Sequence, residues 1–210
     1  MAYRPTAATR RSAQAKRDAI HAAARKIVAG GGFAAATVAA IAEGSGVSVG
    51  SVYSYFDNRE TLLAEVFRDA AEYEFGHVAR AVAAHAGHPE AQMRALIDTF
   101  AERALRGRRT AWSLLFEPVT PAVDAERLRL RQSYRELGEQ IIADGIAAGR
   151  FAECDVPVVA AAVMGAISEA LIGALNPDTA APLNDDPTAL LATIRRFCFL
   201  ALGAEPPALT

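Results

Sequence analysis

Apolar residues recur at helical spacing along almost the whole chain, and no run shows the strict alternation of a half-buried strand. The first helix is expected over residues 12–29, with Ile20, Ala23 or Ala24, Ile27 and Val28 on one face. Gly30-Gly31-Gly32 should end it, and Phe33 should plug a small core. Two short helices follow. Thr37 can cap the first, Gly44-Ser45-Gly46 stops it, and Ser48 can cap the second, which runs through Val52 to Phe56. A long helix from residue 59 or 60 to 84 carries Leu62, Leu63, Val66, Phe67, Ala70 and Ala71. Further helices are expected over 90–105, 111–116, 122–148, 156–175 and 188–202. Pro89, Pro118, Pro121 and Pro187 fall between or at the starts of these runs, where proline is tolerated. Residues 1–11 read as a disordered basic arm, 106–109 as a solvated basic break and 203–210 as a tail. The fold class is all-α, with about nine helices.

The stretch 38–63 organises the rest. Two short helices at a glycine-containing turn suggest a helix-turn-helix, whose second helix enters the DNA major groove. That helix presents Ser48, Gly50, Ser51, Tyr53, Ser54 and Tyr55. Hydroxyls can meet phosphates or base edges, and small residues permit close approach. A buried helical hairpin would account for Val47, Val52 and Phe56, but not for the Ser/Tyr face.

Charge supports the DNA reading through its distribution. The net charge is only −2 over 210 residues. Residues 1–60 hold eight Lys/Arg against four Asp/Glu, a net of +4. The remainder holds 14 basic against 20 acidic, a net of −6. A basic N-terminal third on an acidic body is what a DNA-binding head requires.

The run Thr37…Ile41-Ala42…Gly46-Val47-Ser48…Gly50-Ser51-Val52-Tyr53-Ser54-Tyr55-Phe56…Asn58-Arg59-Glu60…Leu62-Leu63 closely resembles the TetR family of bacterial transcriptional regulators over about residues 12–68. Arg59 replaces the more usual Lys, and Ser45 replaces a common Ala. The resemblance implies an all-helical homodimer with a DNA-binding head at 1–58 and a ligand-binding and dimerisation body at 59–210. By position in the motif, Thr37, Tyr53 and Arg59 should contact phosphates, with Lys16 and Arg17 adding to them. Ser48, Val49, Gly50, Ser51 and Tyr55 should face bases of a palindromic double-stranded operator. The implied mode is repression relieved by a small molecule; activation stays open, as does a helical carrier without DNA binding.

For the body, the family resemblance implies a pocket between head and dimer interface. Its candidates are Phe67, Phe75, Phe100, Trp112, Leu115, Phe116, Tyr134, Met164 and Ile167, with Arg103, Glu117, Tyr134 and Ser168 as polar anchors. Plain core packing explains any one of these equally well. As a set they suit an uncharged or amphipathic hydrophobic effector, and a sugar or metal ion poorly. The stretch 156–175 is apolar enough to pass for a membrane span, but Glu169 and its many small residues favour an internal bundle helix. It and the last helix are too apolar for a monomer's surface. They should pair with a second copy through Gly165, Ile167, Leu171, Ile194, Phe197 and Ala201.

Other chemistry is thin. There is no G-x-S-x-G, phosphate-binding glycine loop or His/Cys metal spacing, so neither catalysis, metal nor cofactor is expected. His85 and His88 read as loop surface. Cys154 and Cys198 have no close partner and suit free thiols in the cytoplasm. The first 18 residues lack the apolar core of a signal peptide.

Overall fold

Five helix starts are set by side-chain oxygens that accept a backbone N–H the helix itself leaves unpaired. Thr37 accepts from Ala40 N, Ser48 from Ser51 N, Asn58 from Thr61 N, Asp155 from Val158 N and Asp186 from Thr188 N. The structure, a computed structural model, describes residues 7–176 and 186–205. Among the described residues there are nine helices and no strand: α1 Ala7–Ala35, α2 Val38–Ser45, α3 Val49–Tyr55, α4 Arg59–Ala83, α5 Pro89–Arg106, α6 Arg108–Leu115, α7 Pro121–Ala147, α8 Val156–Leu175 and α9 Pro187–Ala201.

Three boundaries differ from the sequence reading. Helix α1 already includes Ala7, the first described residue, so residues 7–11 are helical rather than a disordered arm. Ala7, Ala8, Arg10 and Arg11 are good helix formers, and nothing after Pro5 interrupts them. Residues 1–6 of that arm, 177–185 of the loop before α9 and 206–210 of the tail lie outside the described residues. The triple glycine does not stop α1 at its first member. Gly30 and Gly31 stay helical and the break falls at Gly32, with φ 81° and ψ −179°. The supposed basic break is largely helical too, because α6 starts at Arg108.

Packing joins head to body in one contiguous core. Ile20, Ala24 and Val28 of α1 meet Ile41, Ala42, Val52 and Phe56, and the first turns of α4 add Leu62, Leu63 and Val66. Phe33 reaches beyond the head: its ring lies 5.9 Å from that of Phe67 on α4. In the body α4 packs on α5 and α7, and α8 on α5, α6, α7 and α9. Cys198 is buried, which pushes its thiol up to about 12, whereas Cys154 is exposed.

Helix α8 is long and apolar enough to cross a membrane by length and composition. In the fold it is a bundle helix, and only its inner stripe, including Ala160, Val163, Ile167, Leu171 and Ala174, is buried. This corrects three expected dimer contacts. Ile167, Leu171 and Ile194 fill the chain's own core, because the i, i+4 spacing puts them on the inward faces of α8 and α9. Gly165, Phe197 and Ala201 do face outward. Beside them stand Val158 and Leu200, 61% and 56% exposed.

At Gly32 both the backbone conformation and the surroundings exclude a side chain. A Cβ there would fall on the Arg109 guanidinium and the Glu117 carboxylate, and its backbone region is open essentially to glycine alone. Gly32→Ala is expected to cost about 1–3 kcal/mol of stability, read as a lowered midpoint in urea unfolding. An unchanged midpoint would show that the kink is not fixed by Gly32.

Candidate nucleic-acid interface and ligand chamber

The turn of the helix-turn-helix closes on Gly46, left-handed at φ 69°, whose N–H reaches back to the end of α2. Helix α3 then projects a polar face. Ser48, Val49, Gly50, Tyr53 and Ser54 are exposed, and Ser51 and Tyr55 half-buried. Two hydroxyls, however, are already paired with each other: Ser48 Oγ and Ser51 Oγ lie 3.0 Å apart. Ser54 Oγ donates to Gly50 O at 3.1 Å. The Thr37 hydroxyl caps α2 and stays exposed at the rim, and Lys16 is exposed on α1.

Two of the expected phosphate contacts are spent inside the protein. Arg17 Nη2 donates to both oxygens of Glu65, at 2.9 and 2.7 Å, while its guanidinium lies 4.6 Å above the Phe56 ring. Arg59 Nε donates to Ala36 O at 2.7 Å and Nη2 to Phe33 O at 2.6 Å. The carbonyls around the end of α1 need donors, and Arg59 at the start of α4 supplies two. Sequence spacing alone cannot reveal such a competing acceptor.

The same carbonyl run is held from the body. Arg109 Nη2 donates to Gly31 O at 2.5 Å, and Ala34 N donates to Glu117 Oε1 at 3.3 Å. Behind them Arg127, 8% exposed, donates to Leu114 O at 2.9 Å and Glu117 O at 2.6 Å. Burial lowers the affinity of its guanidinium for the proton, while Asp124 offsets part of that. Arg109, Arg127 and these backbone partners were not singled out by the sequence. Arg109 gives no signal in its basic run, and a mid-helix Arg127 reads as surface.

A cavity of about 580 Å³ opens between α5, α6, α7 and α8. Of the expected pocket residues, Phe100, Leu115, Phe116, Tyr134, Met164 and Ser168 line it. A smaller chamber of about 120 Å³ shares Phe100, Leu114, Leu115, Leu130 and Tyr134 with it and ends on Glu74 and Arg103. Tyr134 is the shared post: the Phe75 and Phe100 rings meet it edge-on at 5.1 and 5.2 Å. Burial, then Glu74, pushes its phenol up, so it stays a hydrogen-bond donor at neutral pH.

Five expected pocket residues lie elsewhere. Phe67 is fully buried against Phe33, Ile167 fills the core, and Phe75 stands behind Tyr134. Trp112 packs on Phe116 with ring centres 5.5 Å apart, outside the lining of either chamber. Glu117 belongs to the joint with α1. Arg103 does line the small chamber, but its guanidinium is paired with Glu74 at 2.6 and 3.1 Å. The sequence missed the polar rim on α7, where Arg131, Gln132 and Arg135 face the large chamber opposite Glu169. Arg135 pairs with Glu139 at 3.2 Å, whereas Arg131 forms no ion pair among the described residues.

A helix-turn-helix head tied by hydrogen bonds to a hollow helical body defines a DNA-binding regulator. Two family models match the sequence: the bacterial regulatory proteins of the tetR family over residues 20–66, and a tetracyclin repressor-like C-terminal domain over residues 86–171. The chain belongs to the TetR family, whose members are DNA-binding transcription factors and not enzymes. It is 30% identical over 124 residues to the HTH-type transcriptional repressor KstR2 of Rhodococcus jostii, covering 57% of this chain and only 60% of that relative's length. Among solved structures, a TetR transcription regulator from Haloarcula marismortui superposes with TM-score 0.72 at 21% identity, over 92% of this chain and all of the other. The fatty acid degradation regulator FadR from Bacillus halodurans gives 0.70 at 22%, over 89% and 94%. FadR from Bacillus subtilis, solved in complex with stearoyl-CoA, gives 0.69 at 20%, over 88% and 97%.

Helices α4 and α7 are clamped by a buried carboxylate with a stated pH dependence. Glu126, 6% exposed, accepts from Arg68 at 2.6 and 3.2 Å and also from Arg129. Hydrogen bonding from Arg68, then from Arg129, holds its carboxyl below the ordinary value of 4.5 despite burial. The unfolded chain therefore takes up this proton at higher pH than the folded one. The stabilisation is complete above the ordinary glutamate range and is lost as the pH falls below it. Urea unfolding of Glu126→Gln between pH 7 and pH 3 is expected to give lower stability at neutral pH and a flatter acid limb. Parallel curves for the two proteins would exclude this linkage.

Proposed function

We propose that this chain is a cytoplasmic, homodimeric repressor that leaves a palindromic operator when an amphipathic effector enters the α5–α8 chamber. Residues 1–58 read the DNA, and residues 59–210 hold the effector and the partner. The observation that carries the reading is the short path between the two. Leu114 lines both chambers, and its carbonyl is held by Arg127. Arg127 also holds Glu117 O, and the Glu117 carboxylate accepts from Ala34 at the end of α1. A body that repacks α6 around a ligand must alter these bonds, and ligand and operator then antagonise each other reciprocally. Repression is supported by the KstR2 relative.

The effector class follows from the lining. Phe100, Leu114, Phe116, Leu130 and Met164 suit an apolar body, and the unpaired Arg131 at the rim suits an anionic end. The stearoyl-CoA bound by the Bacillus subtilis neighbour has that character, so acyl thioesters are the first class to test. In fluorescence anisotropy with a duplex selected by the protein, palmitoyl-CoA is expected to release DNA, and coenzyme A alone is not. Met164→Trp, which fills the chamber, and Arg131→Glu, which reverses the rim, should each raise the required concentration about tenfold or more, roughly 1.4 kcal/mol. Equal release from wild type and both variants would place the effector elsewhere.

The partner surface is the outward face of α8 and α9. Val158, Phe197 and Leu200 expose more apolar area there than scattered surface residues usually do, and an isologous pairing of two such faces buries it. Phe197→Glu combined with Leu200→Glu is expected to sediment as a monomer with an unchanged circular-dichroism spectrum and to lose operator binding. A wild-type monomer at micromolar concentration would rule out the dimer.

A further inference from the structure

We propose that Val49 is the main direct reader of base sequence, and that it recognises the C5-methyl group of a thymine in each half-site. The inference rests on the DNA-binding reading of α3. It begins from what α3 lacks. Between residues 48 and 56 there is no Arg, Lys, Asn or Gln, the side chains that bind guanine or adenine edges bidentately. The serines are partly engaged: Ser48 caps the helix through Ser51 N and shares one hydrogen bond with the Ser51 hydroxyl, and Ser54 donates to Gly50 O. Tyr55 is half-buried against the core. The exposed apolar side chain at the leading turn of α3, the part of a recognition helix that meets base edges, is the isopropyl group of Val49. Val49 is 45% exposed.

Gly50 supplies a second, independent observation. A glycine inside a helix is destabilising, and it is kept where something must approach the backbone closely. Nothing within the protein demands it here. A Cβ on Gly50 would find only Ser48 Oγ, at 4.0 Å. The bare backbone therefore makes room for an external surface pressed against α3 next to Val49. An exposed isopropyl group, beside a position with no side chain to hold a surface off, suits the thymine methyl, the one apolar group in the major groove.

The test uses the full-length protein and a duplex selected by wild type from a random library. Each thymine of that duplex is replaced in turn by deoxyuridine, which removes only the methyl. At one thymine per half-site the replacement is expected to weaken wild-type binding about fourfold, the weight of one buried methyl-sized group. The same replacement should leave Val49→Ala unaffected. Gly50→Ala is expected to raise the melting temperature while weakening DNA binding, a combination that a purely structural glycine would not give. Equal deoxyuridine effects on wild type and Val49→Ala, or none on either, overturn the assignment of Val49 and leave DNA binding standing. Recovery of no preferred duplex overturns the DNA-binding reading itself, and this inference with it.

Discussion

The last carbonyls of a helix have no partner within it, and at the end of α1 that deficit shapes the molecule. Gly31, Phe33 and Ala36 turn their oxygens towards arginines from two other elements: Arg109 of α6 takes the first, and Arg59 of α4 takes the other two. The kink at Gly32 makes this possible by turning the chain without a Cβ where Arg109 and Glu117 approach. Head and body are joined by charge-assisted hydrogen bonds as well as by the Phe33–Phe67 contact. Such bonds are directional, so they fix the angle at which α4 and α6 meet the end of α1.

The arginines show how partner, not identity, decides a role. Arg17, Arg68 and Arg103 are bound to Glu65, Glu126 and Glu74, and Arg127 serves backbone carbonyls. Each is a structural tie. Arg131, on the same helix as Arg127 and one turn further on, meets no carboxylate among the described residues and faces the large chamber. The two chambers, meeting at Tyr134, place apolar volume inside and the Arg131 charge at the rim.

Much of this was legible along the chain. The 3.6-residue period gave the helices, and the Thr37 and Ser48 caps set the starts of α2 and α3 to the residue, because capping is a local matter of a side chain and a backbone N–H three positions on. The motif around Gly46 to Glu60 was specific enough to name the family, and half of the proposed pocket lining does meet at one cavity. These features depend on neighbours in sequence or on a conserved local geometry.

Only the tertiary structure decided the rest. Helical periodicity states which residues share a face, but not whether that face meets the chain's own core or open solvent. Ile167, Leu171 and Ile194 were assigned outward for that reason, and Phe67, Ile167 and Trp112 to a pocket they do not line. Competition for hydrogen bonds across long separations is equally invisible along the chain. Arg59 is drawn inward by carbonyls 23 and 26 residues away and Arg109 by one 78 residues away. A sequence specifies which groups can pair; the packed fold selects which of them do, because a buried donor or acceptor left without a partner is costly and the nearest available one is taken.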